Sequence, residues 1–275
     1  MVQKQRLVIV APNGARKTKA DHPNLPITPE EMAEEVAACV AAGAGMVHLH
    51  ARTLDGQHSL DIDDNAAILK AVKERLGNRV IVQLTTEAVG LYKPEQQMAL
   101  IKALVPEAAS FALAELIPEP SFEQQASDFF HWVAEQNIIA QYIIYSPEQL
   151  AYYLDLKARG LLPENKHHLL LVLGRYHEKQ ESDPKDLIPF LPLIKQLTVR
   201  WAVCAFGRKE QDCLLQAAEL GGDVRIGFEN NIYTQSGVVA TSNADQVLSL
   251  VKELAQKLKT ETMDADTFRH FFKMG

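Results

Sequence analysis

The chain has 275 residues, 47% of them hydrophobic and 23% charged, and carries a formal charge of −7. That composition belongs to a globular protein able to bury a large core, which excludes disorder except at the ends. The acidic balance, with no run of Lys and Arg standing apart from it, argues against a nucleic-acid partner, because a phosphate backbone would be repelled.

The opening stretch, Met1 to Pro12, holds an apolar run of only four residues, too short for a signal peptide. No stretch approaches the roughly 20 apolar residues of a membrane span, so a soluble protein is expected. Cys39, Cys204 and Cys213 have no CxxC spacing and form no even-numbered framework, so they read as buried or free thiols of a reducing compartment. The cytoplasm is the expected location.

Along the chain, short apolar runs rich in β-branched residues recur at 7–10, 46–49, 80–84, 108–113, 138–144, 168–173, 199–205 and 224–228. Each predicts a strand. Segments of helical period lie between them, such as 31–42 with Met32, Val36, Cys39 and Val40 apolar, and 243–258 with Val247, Leu250, Val251, Leu254 and Leu258. Thr28-Pro29-Glu30-Glu31 marks a helix start with a capping hydroxyl, a proline at the first helical position and a glutamate three residues after the cap, and Ser146-Pro147-Glu148-Gln149 repeats the arrangement. Eight alternating units at this length predict one domain over 1–275, a (β/α)8 TIM barrel, in preference to an open doubly wound sheet.

His48-Leu49-His50 places two imidazoles on one face near the end of the second strand. In a barrel that end opens on the mouth where catalytic groups sit, and His is the commonest metal ligand. The eighth strand runs through Arg225 to Glu229, one strand away from the second around a closed barrel, so Glu229 can supply the third ligand. Two His and one Glu leave a position open for substrate or water, the layout of a catalytic zinc site. Asn13-Gly14-Ala15-Arg16 and Thr85-Thr86-Glu87 also fall at strand ends, though Gly14 could serve only the turn and the threonines only a helix cap. Gly207-Arg208 stands where barrels bind phosphate. The other histidines, His22, His58, His131, His167, His168, His177 and His270, lack paired spacing and read as surface residues.

Ala11-Pro12-Asn13-Gly14-Ala15, the stretch Asn24-Leu25-Pro26-Ile27-Thr28-Pro29-Glu30-Glu31, the pair His48 and His50 with Arg52, the segment 221–231, and Ser242-Asn243-Ala244 together resemble the β-keto acid cleavage enzymes. The resemblance runs from residue 7 to about residue 255. It implies a zinc-dependent TIM barrel, homo-oligomeric and here a homotetramer, that reacts a β-keto acid with acetyl-CoA to give acetoacetate and a new acyl-CoA. The family's zinc ligands fall on His48, His50 and Glu229. Arg225 matches its arginine, and Thr85 and Ser110 fall where it carries active-site hydroxyls.

This chain departs from the family pattern at three places. Asn230 stands where the family has an aspartate, so a catalytic role there loses its charge. Arg16 replaces an acidic residue thought to meet the substrate's amino group, which implies a substrate whose distal group is anionic or neutral. Glu87 enters after Thr86 in place of glycine, and it would withdraw Arg16 from substrate if the two paired. The rival readings are a zinc hydrolase and, because of Asn230, a metal-dependent binding protein without turnover.

Overall fold

The computed structural model describes residues 5–164 and 167–273, so residues 1–4, 165, 166, 274 and 275 of the expected 1–275 unit lie outside the described part. Strands β1 (Gln5–Val10), β2 (Met46–Leu49), β3 (Ile81–Leu84), β4 (Ala108–Ala112), β5 (Ile139–Ile144), β6 (His167–Leu173), β7 (Trp201–Ala205) and β8 (Asp223–Ile226) pair in parallel and in chain order. β1 pairs with β2 through Ile9 and Met46 and with β8 through Ile9 and Arg225, which closes the sheet. The fold is a (β/α)8 TIM barrel. All eight expected strands are present, with ends moved by one or two residues.

Helices α1 (Pro29–Ala41), α2 (Ile62–Leu76), α3 (Pro94–Leu104), α4 (Leu113–Leu116), α5 (Glu123–Glu135), α6 (Pro147–Ala158), α7 (Leu191–Ile194), α8 (Glu210–Glu219) and α9 (Asn243–Leu258) surround it. The capping box at Thr28 forms in full. At Ser146 only half of it does: the hydroxyl accepts from the Gln149 N–H, while the Gln149 amide oxygen reaches one residue further back, to the Tyr145 N–H. Between β6 and β7 the chain makes a 3-10 segment (Pro184–Phe190) and the one-turn α7, because Pro189 and Pro192 lack the N–H that a continuous helix from Pro184 would need. Among the described residues no helix is long and apolar enough to cross a membrane.

Strand parity divides the apolar residues between two cores. Val8, Val10, Val47, Leu49, Val82 and Leu84 pack outward under the helices, and Leu7, Ile9, Met46, Ile81, Leu170 and Val172 fill the barrel. Two elements that were not expected close one end. β9 (Glu261–Met263) pairs with the first residues of β1, and α10 (Ala265–Lys273) carries Phe268 and Phe272 into the interior cluster. With its N-terminal end plugged, the barrel opens at the C-terminal ends of its strands, where His48, Thr85 and Arg225 point inward by the same parity.

Candidate metal centre

β2 presents His48 from within the strand and His50 from just beyond its end. Their Nε2 atoms lie 3.0 Å apart, and Glu229 Oε2 stands 3.6 Å from the first and 3.5 Å from the second. Glu229 arrives there because the backbone turns sharply after β8. Gly227 sits at φ +142°, where a Cβ would come within 2.4 Å of the Ala11 carbonyl, and Glu229 N–H donates to that same carbonyl at 3.1 Å. On the other side Gly14, at φ +65°, leaves room for the Glu229 side chain, since a Cβ there would stand 2.5 Å from Glu229 Cγ.

Each of the three donors is held from behind. Gln83 Oε1 lies 2.7 Å from His48 Nδ1, Asn13 Nδ2 donates to the His50 carbonyl at 3.0 Å, and Arg225 Nη2 donates to Glu229 Oε1 at 3.0 Å. Burial lowers the His48 imidazole to about 3, so it is neutral at ordinary pH, as a metal ligand must be. Burial alone would raise Glu229, but Arg225 and the two imidazoles outweigh it and hold the carboxyl well below the usual range. Glu229 Oε2, the oxygen facing the imidazoles, is buried without a hydrogen-bond partner.

The edges of 3.0, 3.5 and 3.6 Å bracket the roughly 3.3–3.6 Å between ligand atoms that bonds of about 2.0–2.2 Å make in a tetrahedral site. Two imidazoles and one carboxylate fit a divalent ion and leave a fourth position open. His48 and Glu229 line a cavity of about 280 Å³ whose wall also includes Asn13, Arg16, Lys17, Thr85, Glu87, Ser110, Tyr145, Arg175 and Arg225.

The family model of the β-keto acid cleavage enzymes matches residues 6–274. The chain belongs to that family. It is 28% identical over 267 residues to the 3-keto-5-aminohexanoate cleavage enzyme of Fusobacterium nucleatum, covering 93% of this chain and 95% of that one. It is 26% identical to the 3-oxoadipate:acetyl-CoA acetyltransferase of Cupriavidus necator, covering 92% and 91%. Among solved structures, the ternary complex of ObcA with a C4-CoA adduct and oxalate superposes with a TM-score of 0.72 at 21% identity, and covers 91% of this chain and 68% of that one. This last likeness concerns the fold alone.

This family member places the remaining sequence candidates unevenly. Thr85 and Ser110 line the cavity; Thr85 Oγ1 accepts from the Glu87 N–H at 3.0 Å, and Ser110 Oγ is buried without a partner. Neither Thr85 nor Thr86 caps the next helix, which starts at Pro94 behind Lys93. Arg16 and Glu87 do pair, at 2.9 Å, and Arg175 reaches the same Glu87 oxygen at 3.2 Å. Asn230 lies outside the cavity lining, with its side-chain oxygen and nitrogen buried and unpaired. Arg208 also lies outside it, over the ring of Tyr233.

Lys17, Arg175, Tyr145 and Gln83 are additions that the sequence reading missed. Lys17 Nζ donates to the Glu229 carbonyl at 2.6 Å, and Arg52, singled out only as part of the family motif, holds the loop below it by donating to the Gly14 and Lys17 carbonyls at 3.0 and 2.8 Å. Strand parity could have found Gln83, two residues before Thr85. No local pattern marks Arg175, which the loop after β6 folds back over the Phe206 ring.

Four of the seven histidines read as surface residues are buried. His22 packs at a tilt against Phe228 and bonds the Ala240 carbonyl; His58 sits beside His50 and bonds the Glu87 carbonyl; His167 and His168 are on β6. Each has one ring nitrogen bonded to a partner well away in sequence, Ala240, Glu87, Tyr153 and Asp223 in turn, which paired spacing cannot reveal. His131, His177 and His270 are exposed.

Acidification is expected to destabilise the metal-free protein. Burial lowers His48 to about 3 and, with His50 as the next cause, His58 to about 4 from the ordinary 6.5. Below pH 6.5 the unfolded chain takes up protons that the folded chain refuses, so stability is full above that value and falls as the pH drops towards 4. Two such protons set a limiting slope of about 2.7 kcal/mol per pH unit. Urea midpoints measured on chelator-treated protein check this, and a midpoint unchanged across that range would contradict it.

Proposed function

We propose that this protein is a zinc-dependent enzyme that converts a β-keto acid and acetyl-CoA into acetoacetate and a new acyl-CoA. The observation that carries the reading is the His48, His50 and Glu229 triad, two members of which line the cavity with Arg225, in a chain of this family. The two curated relatives named above act, by their names, on a 3-keto acid and on 3-oxoadipate with acetyl-CoA. When bound, the ion supplies Lewis-acid polarisation of the substrate's keto oxygen, and zinc does so without redox chemistry.

The chain's own residues do the rest. Arg225, buried and tied by one nitrogen to Glu229, puts a fixed positive charge where carboxylate or enolate charge develops. Ser110 Oγ is free to donate to substrate, and Thr85, whose oxygen already accepts from Glu87, has its own proton to give. Asn230 takes no proton. Its buried amide offers a donor and an acceptor next to the ligand Glu229 where an aspartate would offer a base.

The cavity wall carries four cationic side chains, Arg16, Lys17, Arg175 and Arg225, against three carboxylates, Asp21, Glu87 and Glu229. That excess supports a substrate with an anionic or neutral distal group, since an ammonium would meet Lys17 and Arg175. A homo-oligomer and a cytoplasmic location complete the reading.

The test is to incubate metal-quantified protein with acetyl-CoA and acidic, neutral and amino-substituted β-keto acids, and to identify acyl-CoA products by mass spectrometry. Acetoacetate with an acyl-CoA from an acidic or neutral substrate is the expected result. A preference for the amino compounds would overturn the substrate reading. Metal-loaded protein that yields no product, both as it stands and as Asn230→Asp, would overturn the activity.

A further inference from the structure

Polar side chains are rare inside a barrel unless each is partnered, and this barrel holds an unbroken row of them. It starts at His48, whose Nδ1 lies 2.7 Å from Gln83 Oε1. Gln83 Nε2 donates to Gln141 Oε1 at 3.4 Å, Gln141 Nε2 lies 2.8 Å from His168 Nδ1, and His168 Nε2 lies 3.2 Å from Asp223 Oδ2. Asp223 closes the row as an anion, since it accepts from Arg200 Nε at 2.9 Å, from a second Arg200 nitrogen, and from the Leu7 N–H at 2.8 Å. Gln83, Gln141, His168 and Asp223 are all fully buried, so water offers no alternative partner.

The direction of every bond follows from the charged end. A carboxylate only accepts, so His168 carries a proton on Nε2, and the Gln141 amide nitrogen 2.8 Å from its Nδ1 has only a proton to offer that atom. Gln141 must then turn its NH2 to His168 and its oxygen to Gln83. Gln83 in turn donates to Gln141 and offers its own oxygen to His48. His48 therefore carries its proton on Nδ1, and its Nε2 lone pair faces His50 and Glu229. A row running the opposite way would put a proton on His48 Nε2, the atom nearest the other two donors.

We propose that Gln83, Gln141 and His168 are positioning residues through which the fixed charge of Asp223 locks His48 as the Nδ1–H tautomer, with Nε2 presented as the ligand atom. The functional consequence rests on the metal reading given above, whereas the tautomer itself does not. Gln141 and His168 do not line the cavity, and the row is the hydrogen-bonded route from them to His48.

The experiment is a long-range proton–nitrogen correlation spectrum of metal-free protein labelled at histidine, paired with titration by Zn2+ against a chelator. In the unaltered protein His48 is expected to be protonated at Nδ1 alone. In Gln141→Leu, which keeps the volume and breaks the row two links from the site, His48 is expected to show a mixture of tautomers, with Zn2+ bound about tenfold more weakly. Adding Gln83→Glu to Gln141→Leu is expected to restore the single tautomer, because a carboxylate only accepts from Nδ1. Protonation of His48 at Nε2 in the unaltered protein overturns the proposal whether or not the variants fold. So does a folded Gln141→Leu with the tautomer and affinity unchanged. The expected tautomer in a protein that binds no Zn2+ would uphold the row and defeat the metal reading instead.

Discussion

Replacing Glu229 by Gln is expected to remove both the metal and the activity, and also to destabilise the metal-free protein. The first effect follows from losing the only anionic ligand of the triad, and metal affinity should fall by at least about 100-fold. The second follows from what the carboxylate does on its other side. Arg225 is 3% exposed, and Glu229 Oε1 at 3.0 Å is its one carboxylate partner among the described residues. Removing one member of a buried ion pair leaves the other charge uncompensated and costs about 3–5 kcal/mol, a fall in melting temperature of about 10 °C or more. His50→Ala separates the two effects, since it removes a ligand without orphaning Arg225. Calorimetry and metal analysis on both variants decide the matter. Glu229→Gln with its metal intact would show the ligand set to be wrong, and Glu229→Gln as stable as His50→Ala would show that the ion pair does not hold the fold.

The parts of this protein that were legible in its sequence are those written locally. The strands announce themselves by short apolar runs, and the helical segment between one strand and the next gives parallel order, so the barrel and the approach of β8 to β2 across β1 could be read without coordinates. His48, His50 and Glu229 followed from parity and that adjacency. The rest depends on distance in the chain. Arg175 reaches Glu87 from 88 residues away, and His168 meets Asp223 from 55. Nothing in either local segment predicts such partners, so His168 read as a surface residue when it is fully buried. β9 and α10 were missed for another reason. A strand of three residues carries too little alternation to recognise, and Phe268 and Phe272 make an apolar face only against the open end of a barrel that already exists.

Gly14→Ala is expected to weaken metal binding by about 100-fold or more while costing only about 1–2 kcal/mol in stability. An alanine at φ +65° bears the ordinary penalty of a left-handed residue, on the order of 1 kcal/mol. The larger consequence is steric. The new methyl would stand 2.5 Å from Glu229 Cγ, 3.0 Å from its Cβ and 3.3 Å from its Cα, so rotating the tip of the side chain cannot clear it. Retreat is blocked on both sides of the contact. Arg52 holds the Gly14 and Lys17 carbonyls, Lys17 Nζ holds the Glu229 carbonyl, and Glu229 N–H is fixed to Ala11. The carboxylate itself must therefore move, and a ligand set with edges of 3.0 to 3.6 Å tolerates little displacement. Gly90→Ala isolates the backbone term, since Gly90 has φ +78° and nothing within 4 Å of its Cβ position; it should lose about 1 kcal/mol and keep its metal affinity. Equal metal affinities in the two variants would mean that Gly14 serves the turn alone. A loss confined to Gly14→Ala would mean that the Ala11 to Ala15 segment is held as it is in order to seat the third ligand.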